Sequence, residues 1–232
     1  VYIEATLHGP SHDLHSGGYG GAVVNPANAL TKILAQLHDE DGRIQIDGFY
    51  DDVVEVSAEQ VAQWNSLGDA DALTLESSGA KATFGEKGFS TLERLWSRPT
   101  CDINGLRAGY IGQGAKTVIG ATATAKISCR LVANQKPEQI KNSLFAFLEE
   151  RTPKGCHWDL KNFGVAPAIA VPTESQWLSA ASNALTNIFP NPTVLIGTGG
   201  SIPVVGEFQE ILGVDTVMVG FSLDDDLIHA PN

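Results

Sequence analysis

Hydrophobic spacing along the first two thirds of this chain changes period in a set order, and that order limits the folds open to it. Val1–His8 alternates, with Ile3, Ala5 and Leu7 on one face and Tyr2, Glu4 and Thr6 on the other, the period-two signature of a half-buried strand. A Gly-rich turn, His15-Ser-Gly-Gly-Tyr-Gly-Gly21, follows; its glycines disfavour a helix there. A helix then begins at Asn25-Pro26, an N-cap followed by proline at the first helical position. Leu30, Ile33, Leu34 and Leu37 fall at helical spacing along it. Arg43–Ile46 reads as a short strand. Two further strands are expected near 102–110 and 122–132, the second alternating from Thr122 to Val132. A second helix starts at Pro137 and carries Ile140, Leu144, Phe147 and Leu148, and Gly155–Phe163 alternates once more.

Strand, helix, strand, strand, helix, strand is the split βαβ order of a ferredoxin-like α+β domain, expected over residues 1–163. A polar, helix-leaning insertion at about 47–100 interrupts it. There Ser57 caps a run with Val61 and Trp64, and Phe89, Leu92 and Trp96 mark another stripe. After Gly164 the rhythm changes. A helix over 175–189 is expected to turn Trp177, Ala181, Ala184, Leu185 and Ile188 inward. A short strand, Thr193–Ile196, then meets a glycine turn, a helix starts near Ser201, and another strand covers Thr216–Phe221. Helices alternating with short apolar strands predict part of a parallel α/β layer over 164–232.

The 232 residues carry 27 acidic and 15 basic side chains, a formal charge of −12. That balance argues against nucleic acid as a partner, since phosphate backbones are held by clustered Lys and Arg. No apolar run approaches the ~20 residues of a membrane span. Three scattered cysteines, Cys101, Cys129 and Cys156, without C-x-x-C spacing, read as reduced thiols of a cytoplasmic protein. A start at Val1 without an initiator Met, and an end in a loop at Leu227–Asn232, read as a fragment.

Several motifs bear on chemistry. Gly109-Tyr-Ile-Gly-Gln-Gly-Ala-Lys-Thr117 is not a phosphate loop, because Ala115 separates Gly114 from Lys116 and strand residues follow where a helix should open. The glycines from Gly18 fail the dinucleotide pattern, with Val23 at its last position. His8, His12 and His15 lie close to Asp13 beside a Gly-rich turn. They are either surface residues or imidazoles presented for proton handling or polarisation. Gly197-Thr-Gly-Gly-Ser201, between an apolar strand and a helix, either caps that helix or offers backbone amides to an anion. His229, after the acidic run Asp224–Asp226, could ligate a metal, but one histidine holds no zinc by itself.

In combination these motifs resemble one family, the two-zinc exopeptidases of the carnosinase and cytosolic nonspecific dipeptidase type. Carboxypeptidase G, acetylornithine deacetylase and succinyl-diaminopimelate desuccinylase are relatives. The likeness is carried, in order, by Asp13-Leu-His-Ser-Gly-Gly-Tyr-Gly-Gly21, Gly114-Ala-Lys-Thr-Val-Ile119, Ser128-Cys-Arg-Leu-Val132, Gly199-Gly-Ser-Ile-Pro203 and His229-Ala-Pro-Asn232. The long insertion is similar to that of the dipeptidase branch. The resemblance implies that 1–163 is a lid, or dimerisation, domain and that 164–232 is part of a zinc-exopeptidase catalytic domain. It implies that His15 polarises the scissile carbonyl in the partner subunit's site and that Thr117 also acts across the dimer. Arg130 would grip the substrate carboxylate, Gly199, Gly200 and Ser201 would contact substrate main-chain atoms, and His229 would ligate zinc. The implied substrate is a small peptide or N-acyl amino acid, the cofactor two zinc ions, and the assembly a homodimer. Thr198 and Val165 depart from the dipeptidase pattern, which has Glu and, in carnosinases, His there. The upstream zinc ligands and the general-base Glu have no counterpart in this sequence, so the chain alone is expected to hold no zinc pair and to hydrolyse nothing. Two other readings remain beside this one: a non-catalytic dimerisation module, and a deacylase or carbamoylase of the same family.

Overall fold

A computed structural model describes residues 1–171, 173–198 and 202–221. Along the first 164 residues run β1 (Tyr2–His8), β2 (Leu14–His15), the single turn α1 (Ser16–Tyr19), α2 (Pro26–Leu34), α3 (Ala58–Asn65), α4 (Ala70–Ser78) and α5 (Thr91–Trp96). They are followed by β3 (Thr100–Ala108), β4 (Val118–Ile119), β5 (Thr122–Arg130), α6 (Pro137–Glu150) and β6 (His157–Gly164). Beyond these come α7 (Gln176–Thr186) and α8 (Pro203–Leu212). By internal contacts the chain divides into two compact units. One is Val1–Ile169 with the stretch from Ile196, and the other is Ala170–Leu195 with the chain from Ile202 on. Among the described residues no helix is long and apolar enough to cross a membrane.

The first unit is built on a four-stranded antiparallel sheet in the order β3-β5-β1-β6. Alternation decides which face is covered. Ile3, Ala5 and Leu7 of β1 and Ala123, Ala125, Ile127 and Cys129 of β5 are buried together with Leu30, Ile33 and Leu34 of α2 and Ile140, Leu144, Phe147 and Leu148 of α6. Each large aliphatic or aromatic side chain in that layer contributes roughly 1.5–3 kcal/mol by leaving water. The other face is polar. Glu4 pairs with Lys161 at 3.5 Å, the Thr6 and Thr124 hydroxyls lie 3.0 Å apart, and His8 stacks on His157 with ring centroids 4.8 Å apart.

Local chemistry starts the helices where the spacing anticipates them. Asn25 Oδ1 accepts the Ala27 N–H at 2.9 Å, with Pro26 opening α2. In the insertion, Ser57 and Asp69 cap α3 and α4, and Ser90 with Glu93 forms a full capping box on α5. Trp64 and Trp96 meet edge to face with centroids 5.2 Å apart. Glu86 ties this region to the 43–50 turn. Its carboxylate accepts from Arg43 at 3.1 Å and from Arg98 at 2.8 and 2.9 Å, while the two guanidiniums lie over the rings of Tyr50 and Phe89 at 3.9 and 4.1 Å. Gln135, deep in the core side of the turn before α6, accepts the Val132 N–H at 2.8 Å and donates to the Phe49 carbonyl at 2.6 Å.

Several expectations are corrected. Arg43–Ile46 forms no strand; a single bridge joins His38 and Ile44. The Gly-rich turn holds one helical turn, α1, where glycine spacing argued against any. Beyond β6 neither Thr193–Ile196 nor Thr216–Phe221 is a strand, so no parallel layer forms among the described residues. A strand needs a neighbour for its backbone groups. Thr193 instead bonds to α7, its hydroxyl 3.0 Å from that of Thr186 and 3.1 Å from the Ser182 carbonyl. The helix expected over 175–189 is shorter. Ala181 and Leu185 are half-buried, but Ala184 faces solvent and Trp177 and Ile188 are 62% and 75% exposed. An apolar stripe turns inward only where another layer covers it.

Candidate functional site

The chain leaves β1 at His8, turns through Gly9–Asp13 and enters β2, a two-residue strand that pairs with β4 (Leu14 with Ile119, His15 with Val118). Three further bonds hold the two loops together. The Gly9 N–H donates to the Ala121 carbonyl at 2.9 Å, Asp13 Oδ1 accepts the Ala121 N–H at 2.8 Å, and the Ser16 N–H donates to the Thr117 carbonyl at 2.9 Å. The 109–121 loop is also braced by Tyr110, whose hydroxyl donates to the Gln113 carbonyl at 2.8 Å and whose ring lies 4.6 Å from the Lys116 ammonium.

This bracing puts two of the anticipated residues side by side at the surface. His15 Nδ1 accepts the Gly17 N–H at 3.0 Å, and His15 Nε2 lies 3.3 Å from Thr117 Oγ1. A ring nitrogen that accepts a hydrogen bond carries no proton, so the proton of the neutral imidazole sits on Nε2. At 3.3 Å the bond to Thr117 is longer than the usual range, and an acceptor with more negative charge would displace it. The pair is therefore an aimed, exposed hydrogen-bond donor. Gly17 is what allows it: a Cβ there would stand 2.9 Å from His15 Cε1 and 3.1 Å from Nδ1.

The other two loop histidines part company with His15. His8 belongs to the polar face of the sheet, and His12 Nδ1 shares a 3.0 Å bond with the Ser11 hydroxyl. Arg130 is exposed at the last position of β5, opposite Thr100. Thr117 immediately precedes β4, which leads through Gly120 and Ala121 into the other end of β5 at Thr122. At about 3.4 Å per residue the nine residues of β5 put roughly 25 Å or more between Arg130 and the His15–Thr117 pair within one chain. Gly199, Gly200, Ser201 and His229 lie outside the described residues. Among the described residues no group of three His, Cys, Asp or Glu side chains is placed to hold a metal ion, so these residues do not fit a two-zinc centre by themselves.

Three contributors escaped the sequence reading. The β2–β4 pairing is too short to show periodicity. Gly17 acts through its backbone N–H and its missing Cβ, both invisible in spacing. Asp13, noted only as a neighbour of the histidines, is a brace for the opposite loop. A sequence signal did exist for Asp13: Asp and Asn side chains before a turn commonly take up a nearby backbone N–H.

Residues 2–156 match the family model of the peptidase dimerisation domain. The Cys-Gly metallodipeptidase DUG1 of Saccharomyces cerevisiae is 29% identical over 236 residues, covering 100% of this chain and 49% of that protein. The human Beta-Ala-His dipeptidase is likewise 29% identical over 236 residues, covering 100% of this chain and 46% of that protein. Among solved structures, an M20 family metallo-carboxypeptidase from Sulfolobus solfataricus superposes with a TM-score of 0.79 at 29% identity, over 92% of this chain and 55% of that one. The chain thus spans about half the length of the curated relatives it matches.

Proposed function

The chain belongs to the M20 family through its peptidase dimerisation domain, and from that premise we propose that it is the lid and adjoining segment of a metal-dependent, dipeptidase-like peptidase that works as a homodimer. The order β3-β5-β1-β6, with α2 and α6 on one face, supports the ferredoxin-like reading of the lid. In this reading the substrate is a dipeptide or N-acyl amino acid with a free carboxylate, and the setting is cytoplasmic. The zinc pair would be held by residues beyond this chain together with His229. The chain alone is then inactive as a hydrolase.

Each residue has a definable task. His15, with its Nε2 proton preset by the Gly17 N–H, donates to the carbonyl oxygen as negative charge gathers on it. Thr117 holds that proton while the site is empty and remains beside it as a second polar group. Arg130 offers a planar fork to the substrate carboxylate, fixing which bond is presented. Gly199, Gly200 and Ser201 line the substrate main chain.

The observation that carries the reading is the length of β5 between the His15–Thr117 pair and Arg130. Two groups that must both touch one dipeptide cannot do so from opposite ends of one strand, and a second copy of the lid resolves the conflict. The test is complementation in the peptidase that contains this chain. His15→Ala and Arg130→Ala homodimers are each expected to lose at least 100-fold in kcat/KM. Mixed and re-equilibrated, they are expected to regain part of the activity, because one of the two sites then draws His15 and Arg130 from intact partners. No recovery on mixing, with heterodimers demonstrated, rejects action across the dimer.

A further inference from the structure

The fold brings together two cysteines that lie apart in sequence. Cys101 of β3 and Cys129 of β5 are directly opposite in the antiparallel register. Cys129 donates its N–H to the Val1 carbonyl at 2.9 Å, and its carbonyl accepts from the Val1 nitrogen at 3.0 Å. A strand residue points both of its polar backbone groups to the same side. With both used towards β1, Cys129 meets Cys101 as a non-hydrogen-bonded pair, the type with the shorter separation, about 4.5 Å between Cα atoms. That lies inside the window a disulfide requires. The two side chains are almost completely buried, 3% and 2% exposed.

We propose that Cys101 and Cys129 are a disulfide-forming pair that hydroperoxides oxidise when the edge strand β3 opens, covalently stapling β3 to β5. Edge position makes the opening local: among the described residues of the chain β3 pairs with β5 alone, so it can peel away while β5 stays paired to β1. A bulge between Ile103 and Gly105 weakens the ladder next to the pair. While the sheet is closed the thiols are inert. Interaction with the facing Cys129 thiol, then burial, pushes the Cys101 thiol far above its ordinary range, and the thiol form is a poor nucleophile. Once open, one thiolate attacks the peroxide O–O bond to give a sulfenic acid, and one molecule of water leaves after protonation. The second thiol attacks the sulfenic sulfur, forming the S–S bond and releasing a second water. Two thiols and one hydrogen peroxide thus give one disulfide and two waters. The bond closes the loop that contains the 109–121 segment and Thr117. Cys156, half-buried just before β6, lies on neither of these strands and is replaced so that it cannot compete as a thiol.

The experiment treats the folded Cys156→Ser chain with hydrogen peroxide, blocks remaining thiols by alkylation, and maps peptides without reduction. The expected product is an intramolecular Cys101–Cys129 link, reversed by dithiothreitol. Its formation rate should level off at high peroxide, where opening of β3 becomes limiting. The melting midpoint of the linked protein should rise by about 5–10 °C. Sulfinic acid at either cysteine without a link, a link between chains, or thiols that stay free until the protein is unfolded would each overturn the proposal. Should Cys156→Ser fail to fold, the unmodified chain gives the same readout, since the linked peptides identify themselves.

Discussion

Gly17 shows how much of the site depends on single atoms. Its N–H sets which His15 nitrogen is protonated, and the space where its Cβ would be is filled by the imidazole. Nitrogen-15 spectra of the folded chain are expected to show the neutral His15 ring with Nδ1 unprotonated and Nε2 protonated, and the opposite tautomer would rule out a preset donor. Gly17→Ala leaves the N–H in place but forces the ring aside. On the proposed function it should lower kcat by roughly 10- to 100-fold with little change in KM. Arg130→Lys should do the reverse. Keeping the charge but losing the planar fork removes binding common to ground and transition states, so KM is expected to rise about 10-fold or more while kcat holds. His15, Thr117 and Arg130 could be picked out in the sequence because their neighbours match a family pattern. Gly17 was quoted within the same stretch without a role, because a contact made by an absent side chain leaves no mark on spacing.

Among the elements, the core strands and the two long helices follow from periodicity, and the joints between them do not. Gln135 is such a joint. A buried amide that satisfies the Val132 N–H and the Phe49 carbonyl joins the turn before α6 to the turn after α2. Gln135→Leu would leave both groups buried without partners and is expected to cost about 2–4 kcal/mol in urea unfolding. Tyr50 is another. Burial pushes its phenol above the ordinary 10.0, and the Glu86 carboxylate adds to the rise, while the Ile44 N–H and the guanidiniums of Arg98 and Arg43 oppose it. Because the folded-state pKa is the higher one, the unfolded chain loses the proton first. The contribution of Tyr50 is then fully present below pH 10 and is lost as pH rises through the folded value. Melting midpoints measured from pH 9 to 11 should fall for the natural chain, and Tyr50→Phe should flatten part of that decline. Polar residues at both joints look like surface in the sequence, since their partners lie far along the chain.

At the scale of the whole molecule, burial is uneven. The first unit has a continuous core between one sheet face and two helices. In the second, α7 has no fully buried residue, and Ile211, Leu212 and Phe221 are exposed along with Trp177 and Ile188. Local stability follows buried apolar area and protected hydrogen bonds. Hydrogen exchange is therefore expected to be slowest in β1, β5 and α6. In α7 and α8 it should run at least 100-fold faster; equal protection in both units would contradict this account.

What the amino-acid order settles alone is whatever repeats locally: the alternation of β1 and β5, the inward stripes of α2 and α6, the caps at Asn25 and Ser57. Each rests on neighbours within a few residues, so period and capping chemistry suffice. The tertiary structure alone decides which distant residues meet. It sets His15 against Thr117, divides both from Arg130 by the length of a strand, and brings Cys101 opposite Cys129. It also leaves Thr193–Ile196 and Thr216–Phe221 outside any sheet, because a strand exists only where another backbone takes up its hydrogen bonds, and no spacing rule supplies that partner.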